Sequence, residues 1–244
     1  MSYTLVIAAV IVLAASFIRS VSGFGYALIS TPLLTFLFDA KSVVIMNVIL
    51  GNVTNIIVLF HTRKFIDGRR ALILIVSSAF GVPLGAFLLS WLEPSVIKLA
   101  IAALVIPFSI ILMTGYSFKL KHDSISCAVA GFLSGIFASS TSLGGPVVAL
   151  FLLNQGMTTE RFVGTMAAYF VSICLFSIGS FISMGMVTSD ILIRGSILLL
   201  PLIIGSYLGV RLIRKINVAL FKKITTSILV VSSLAIIVSV LLGI

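Results

Sequence analysis

The chain has 244 residues, 60% of them hydrophobic and 9% charged, with a mean hydropathy of +1.32. Soluble domains are only about 45 to 50% apolar, so this is the composition of an integral membrane protein, and no polar stretch is long enough for a soluble domain. The net charge of +10 would suit a nucleic-acid partner, but the basic residues sit in short loops between apolar runs, the ordinary topology signal of a membrane protein, which argues against nucleic acid.

Apolar stretches at 3–18, 24–38, 43–60, 71–92, 96–116, 124–138, 142–153, 162–184, 195–213 and 224–242 read as helices. Several reach the roughly 20 residues that cross a bilayer, and Leu/Ile/Val runs without period-two alternation argue against a transmembrane barrel. The first stretch has no basic residue before it and Arg19 after it, so it reads as a retained helix and not as a secretory signal.

The first stretch gives way to Arg19-Ser20-Val21-Ser22-Gly23-Phe24-Gly25. Non-helical backbone inside lipid is tolerated only where protein or a water-filled cavity satisfies its N–H and C=O groups, so such a break marks a candidate transport site. A helix restarting after glycines, here near Gly25, presents its N–H groups and the positive end of its dipole to an anion. Ser20 and Ser22 supply hydroxyl donors, while Gly23 and Gly25 let a ligand approach the backbone. Arg19 has two readings: a guanidinium holding sulfite, a sulfonate or a carboxylate through paired hydrogen bonds, or a side chain snorkelling to the surface.

The span at 43–60 carries Asn47, Asn52, Thr54 and Asn55. Amides there either line a cavity or bond a neighbouring helix. The loop that follows, with His61, Arg63, Lys64, Arg69 and Arg70, is placed on the inner side. Alternating spans from it put Asp39, Lys41 and Glu93 outside, and Lys119, Lys121 and His122 inside. Cys127 and Cys174 fall in apolar segments and imply neither a disulfide framework nor a metal site.

The second break, Ser139-Ser140-Thr141-Ser142-Leu143-Gly144-Gly145-Pro146, opens the other half of the chain. Ser140, Thr141 and Ser142 offer donors, Gly144 and Gly145 offer close backbone approach, and Pro146 suits a first helical turn. Small residues also serve helix packing, but two breaks at matching positions favour a site. A repeat joins the halves: Arg70 matches Arg194, Gly81 to Gly85 matches Gly205 to Gly209, and Lys98 matches Lys222, while near the breaks Pro32 pairs best with Pro146. Thr165, Tyr169 and Ser172 are the rough counterparts of the asparagines. With 124–153 entering and leaving on one side, Glu160 and Arg161 fall inside, Asp190 outside, and Arg211, Arg214, Lys215, Lys222 and Lys223 inside, so the halves are inverted and both termini lie outside. The expected fold is an all-α integral membrane bundle of two inverted repeats, 1–122 and 123–244, in one membrane domain, each a broken or re-entrant helical hairpin followed by three transmembrane helices.

All six acids, Asp39, Asp67, Glu93, Asp123, Glu160 and Asp190, fall in loops or at helix ends, so no buried carboxylate stands ready as a proton or sodium carrier. HExxH, P-loop and GxSxG patterns are absent, which disfavours an enzyme, a metal or a cofactor.

Ser22-Gly23-Phe24-Gly25, then Thr31-Pro32-Leu33-Leu34, the basic stretch from His61 to Arg70, and Gly81-Val82-Pro83-Leu84-Gly85-Ala86 together resemble the TauE/SafE sulfite-exporter-like transporters, as does the second opening, Gly144-Gly145-Pro146. The resemblance covers essentially the whole chain, although a Ser/Thr run at the second break stands where glycines are expected. It implies a bacterial inner-membrane protein that moves small anions, often sulfite, sulfonates or other sulfur compounds. The resulting expectation is a secondary transporter working by alternating access. Its site lies between the hairpin tips at Arg19, Ser20, Ser22, Gly23, Gly25, Asn47, Asn52, Ser140, Thr141, Ser142, Gly144 and Gly145. Its partners are a small anion, the lipid bilayer and possible further copies of the chain. A scaffold or assembly subunit is the competing reading, and an anion channel a third.

Overall fold

The computed structural model describes residues 3–22, 25–114, 123–153, 155–212, 233–238 and 240. Gly23, Lys119, Lys121, His122, Arg214, Lys215, Lys222 and Lys223 lie outside the described residues. Among those described there are only helices and turns: α1 (Tyr3–Ser22), α2 (Tyr26–Leu34), α3 (Ala40–Thr62), a 3₁₀ turn (Arg63–Phe65), α4 (Gly68–Trp91), α5 (Pro94–Thr114), α6 (Asp123–Thr141), α7 (Gly145–Leu153), α8 (Thr159–Ser183) and α9 (Ser189–Leu212). Residues 233–238 are also helical. Six of these helices, α1, α3, α4, α6, α8 and α9, are long and apolar enough to cross a membrane. The protein is a multi-pass α-helical membrane protein.

Both breaks divide a long helix from a short one. α1 has 20 residues and α6 has 19, about 30 Å each at 1.5 Å per residue, while α2 and α7 have 9 each, about 13 Å. The limbs are thus unequal, where the sequence suggested near-equal short ones, because the first helix of each pair continues through the Ser-rich residues before it stops. Short second limbs are tolerable only if protein covers their ends.

The helix bounds also revise the register between halves. α2 and α7 start at Tyr26 and Gly145, 119 apart, and α3 and α8 start at Ala40 and Thr159, again 119 apart. Pro32 therefore does not correspond to Pro146, and the counterparts of Asn47, Asn52 and Asn55 are Met166, Val171 and Cys174. Further on, the glycine contacts keep the 124-residue spacing: a Cβ at Gly81 would meet Phe132 O and one at Gly205 would meet Leu13 O.

The helices gather into two compact units, each drawing on both halves of the sequence. One holds α1, α2, α3 up to Leu50, α5 and α9; the other holds α3 from Gly51, α4, α6, α7 and α8. In the first, α1 packs on α9 where Gly205 and Gly209 bring the backbones together: a Cβ at Gly209 would stand 2.6 Å from Phe17 O. In the second, α4 packs on α6 in the same way, and a Cβ at Gly81 or Gly85 would overlap the carbonyl of Phe132 or Ile136. Gly131 and Gly135 on α6 reciprocate, with Leu74 O and Ser78 O each 2.7 Å from an added Cβ. Without a hydrophobic force between helices in lipid, such close backbone approach is what holds them. The lipid-facing surface is carried by exposed Leu72, Val76, Phe80, Leu84, Phe87 and Trp91 on α4 and by comparable rows on α8 and α9.

The second unit also fixes the basic loop. Asp67 N–H donates to Thr165 Oγ1 (3.0 Å), Arg69 to Ser124 Oγ (3.3 Å) and Arg70 to Gln155 Oε1 (3.5 Å). Cys127 is buried and Cys174 half-buried, and neither is in a disulfide.

Candidate functional site

In the first unit, Arg19 occupies the last turn of α1 and is 8% exposed. Among the described residues it is the one charged side chain in the buried set. The chain re-enters helix at Gly25, whose φ of 101° is the left-handed conformation that glycine adopts without a Cβ penalty, and no side chain caps the start of α2. Tyr26, the first residue of α2, is buried; its hydroxyl lies within electrostatic reach of Arg19 and has no hydrogen-bond partner among the described residues. Its polar neighbour Ser30 already donates to Tyr26 O at 2.9 Å.

Asn47 on α3 reaches α2, donating Nδ2 to Thr31 Oγ1 at 2.9 Å, while its Oδ1 has no partner among the described residues. The amide thus bonds a neighbouring helix and still presents an unsatisfied oxygen. At the corresponding positions of the other half stand Ala138, Gly145, Ala149 and Met166 in place of Arg19, Tyr26, Ser30 and Asn47. At these four positions the charge and the polar groups stand in the first hairpin.

In the second unit α6 ends at Thr141, and Ser142 takes the left-handed conformation (φ 61°). Ser142 N–H donates to Ala138 O (3.0 Å) and Leu143 N–H to Phe137 O (3.2 Å), closing the helix end. The chain then enters α7 at Gly145, where an added Cβ would sit 3.1 Å from the Phe170 ring. Gly144 O accepts from Ser134 Oγ at 2.6 Å, anchoring the break to α6.

Most hydroxyls that the sequence offers as ligand donors are directed at backbone. Ser20 donates to Ser16 O (3.0 Å), Ser140 to Ile136 O (2.7 Å), Thr141 to Phe137 O (2.8 Å) and Ser142 to Thr141 O (2.6 Å). Ser20 also packs its Cβ on Gly209, as Ser139 packs its Oγ on Gly85 while bonding Val82 O at 2.8 Å. The Ser20, Ser140 and Thr141 bonds follow from hydroxyls in a helix, where the i−4 carbonyl is the nearest acceptor. The Gly23 position and the Ser22 side chain lie outside the described residues. Asn52 is buried in the second unit with Oδ1 unpartnered among the described residues, and Asn55 donates to Cys174 Sγ at 3.9 Å. The asparagines therefore divide between the units, Asn47 in one and Asn52 with Asn55 in the other.

Sequence reasoning missed Tyr26 and treated Tyr169 only as a counterpart of an asparagine. The signal was a phenol within an apolar run, since a buried tyrosine hydroxyl normally finds a partner.

Membrane-length helices, with two glycine-rich breaks and a buried arginine just before one of them, define the chain as a multi-pass membrane protein. A model of the sulfite exporter TauE/SafE family matches residues 7–236, and the chain belongs to that family. No curated protein and no solved structure matches it.

Proposed function

We propose that the protein is a secondary transporter that moves a small sulfur oxyanion, sulfite or a sulfonate, across the bacterial inner membrane by alternating access. The observation that carries this reading is Arg19: a buried charge at the end of α1, a few residues before the uncapped start of α2, with the Tyr26 hydroxyl in electrostatic reach. Charge, helix dipole and neutral donors there all favour an anion, and a planar guanidinium suits two oxygens of a sulfite or sulfonate head. Asn47 Oδ1, in the same unit, accepts and does not donate, so it suits a protonated oxygen of the substrate. Ser20 and Gly25 belong to the same unit as Arg19, while Asn52, Ser140, Thr141, Ser142, Gly144 and Gly145 belong to the second unit, where the three hydroxyls are bonded to backbone.

Asp39, Asp67, Glu93, Glu160 and Asp190 all lie outside the buried set, so the membrane potential acting on the anion itself is the driving force, worth about 2.3 kcal/mol per charge per 100 mV. We further infer that the sequence halves are inverted in the membrane, on the contrast between the basic loop 61–70 and the loop 184–188, which carries no charge.

The test is efflux of sulfite and of a short alkyl sulfonate from proteoliposomes. The protein should carry at least one of them, and Arg19→Ala should lower that flux at least tenfold while eluting as wild type on gel filtration. Absence of flux for any small anion favours the scaffold reading, and full flux in Arg19→Ala returns Arg19 to a surface anchor.

A further inference from the structure

Every cation of the second unit among the described residues lies at one end of it, where α3 closes at Thr62 and α4, α6 and α8 open at Gly68, Asp123 and Thr159. Contacts between these helix ends bind them into one surface. Asp67 N–H donates to Thr165 Oγ1 at 3.0 Å, Arg69 Nη2 donates to Ser124 Oγ at 3.3 Å, and a Cβ at Gly164 would stand 2.9 Å from Thr62 O. Arg161 lies one turn before Gly164, on the α8 face that meets the 3₁₀ turn. Arg63, Lys64, Arg69 and Arg161 are exposed on this surface, and none of them is in an ion pair among the described residues. Arg70 alone is neutralised, by Asp67 at 2.9 Å, and the exposed Glu160 makes no ion pair either.

The far ends of α4, α6 and α8, at Trp91, Thr141 and Ser183, carry no ionised residue in their last turns. In the first unit the charge is divided instead: α9 holds Arg194 near its start and Arg211 in its last turn. Exposed hydrocarbon adjoins the basic end of the second unit. Ile57 and Phe60 are 47% and 68% exposed in the last turns of α3, and Phe65, beside Lys64 in the 3₁₀ turn, is 45% exposed. Phenyl rings facing water beside unpaired cations satisfy neither group, whereas at the boundary of headgroups and acyl chains both are satisfied.

We propose that this end of the second unit binds the headgroups of anionic phospholipids, with Arg63, Lys64, Arg69 and Arg161 meeting phosphate oxygens and Phe60 and Phe65 lying among the first methylenes of the acyl chains. A guanidinium gives a phosphate two parallel hydrogen bonds and an ammonium adds a point charge. A zwitterionic headgroup brings its own cation, which the cluster repels, so lipid of net negative charge is selected. Because the 3₁₀ turn lies against Gly164 and Asp67 N–H bonds Thr165, the cations are displayed on packed backbone. Bound lipid bridges charges from α4, α8 and the 3₁₀ turn and thereby stabilises the unit. This surface is independent of which anion is carried.

The experiment is thermal unfolding of the purified full chain in an uncharged detergent, titrated with phosphatidylglycerol or with phosphatidylcholine of the same acyl chains. Saturating phosphatidylglycerol should raise the melting temperature by about 3 to 6 °C over phosphatidylcholine. Arg161→Gln should raise the midpoint of the phosphatidylglycerol titration about fivefold, and the combined Arg63→Gln, Lys64→Gln and Arg161→Gln variant more than tenfold. Both should melt as wild type in phosphatidylcholine, since these side chains are in no ion pair. Lys98→Gln, which removes one charge from the first unit, should leave the midpoint unchanged. Equal wild-type melting in the two lipids overturns the proposal, as does a triple variant that responds like wild type. Excess inorganic phosphate in place of lipid should give no shift; a shift equal to that of phosphatidylglycerol assigns the cluster to a free anion and overturns the lipid surface.

Discussion

Ser142 is the described non-glycine residue with a positive φ, 61°, at the point where the second helix pair turns. A left-handed conformation costs an L-residue roughly 1 kcal/mol, and strain of this kind persists where the surrounding structure over-determines it. Ser142→Gly should raise stability by about 1 kcal/mol, a melting shift of about 2 to 4 °C. If its hydroxyl also contacts the substrate, flux falls in the same, more stable variant; equal flux removes Ser142 from the site. The residue stood out in the sequence as a serine where glycine was expected, but its conformation did not, because φ is set by where α6 stops. Arg19 was legible as a charge beside a break. Tyr26 and Tyr169 were not, since an orphaned hydroxyl is a property of the neighbours that fail to reach it.

At the scale of the helices, the glycine pairs 81/85 and 205/209 are the most informative residues, and each lies at a close helix contact. Their role in the structure is to let α4 approach α6, and α9 approach α1, at backbone contact. Gly85→Ala places a Cβ against Ile136 O and Ser139 Oγ, neither of which yields easily, so it should destabilise by about 1 to 3 kcal/mol. Gly179→Ala on α8 has nothing within 4 Å and should be neutral or slightly stabilising, being an exposed helical glycine. Thermal unfolding of both variants checks the contrast, and equal losses would falsify the seam. Helix bounds were readable to within a few residues from apolar runs. The unequal hairpin limbs were not, because serine and threonine that bond their own helix carbonyls extend α1 and α6 through residues whose composition suggested a break.

For the whole molecule, inversion makes a topological prediction. In a background with Cys127→Ala and Cys174→Ala, a cysteine placed at Lys64 should react with impermeant maleimide only from the cytoplasmic side. One placed at Gly185, an exposed left-handed turn position, should react only from the outside. Labelling of both from one side removes the inverted reading and leaves the helices and family membership untouched. Basic residues at 61–70 are the physical basis of that expectation, since positive loops are retained on the cytoplasmic face.

Composition and apolar run length by themselves determined that the chain is a helical membrane protein, because hydrocarbon leaves a backbone few ways to satisfy its hydrogen bonds. The order of glycine motifs likewise carried the family. Only the tertiary structure decided which helices share a unit, that α1 belongs with α9 and α6 with α4. It alone showed that Asn47 bonds Thr31 in one unit while Ser134 bonds the Gly144 carbonyl in the other. Such groupings join residues far apart in the chain, and close packing between particular helices, not local sequence, brings them together.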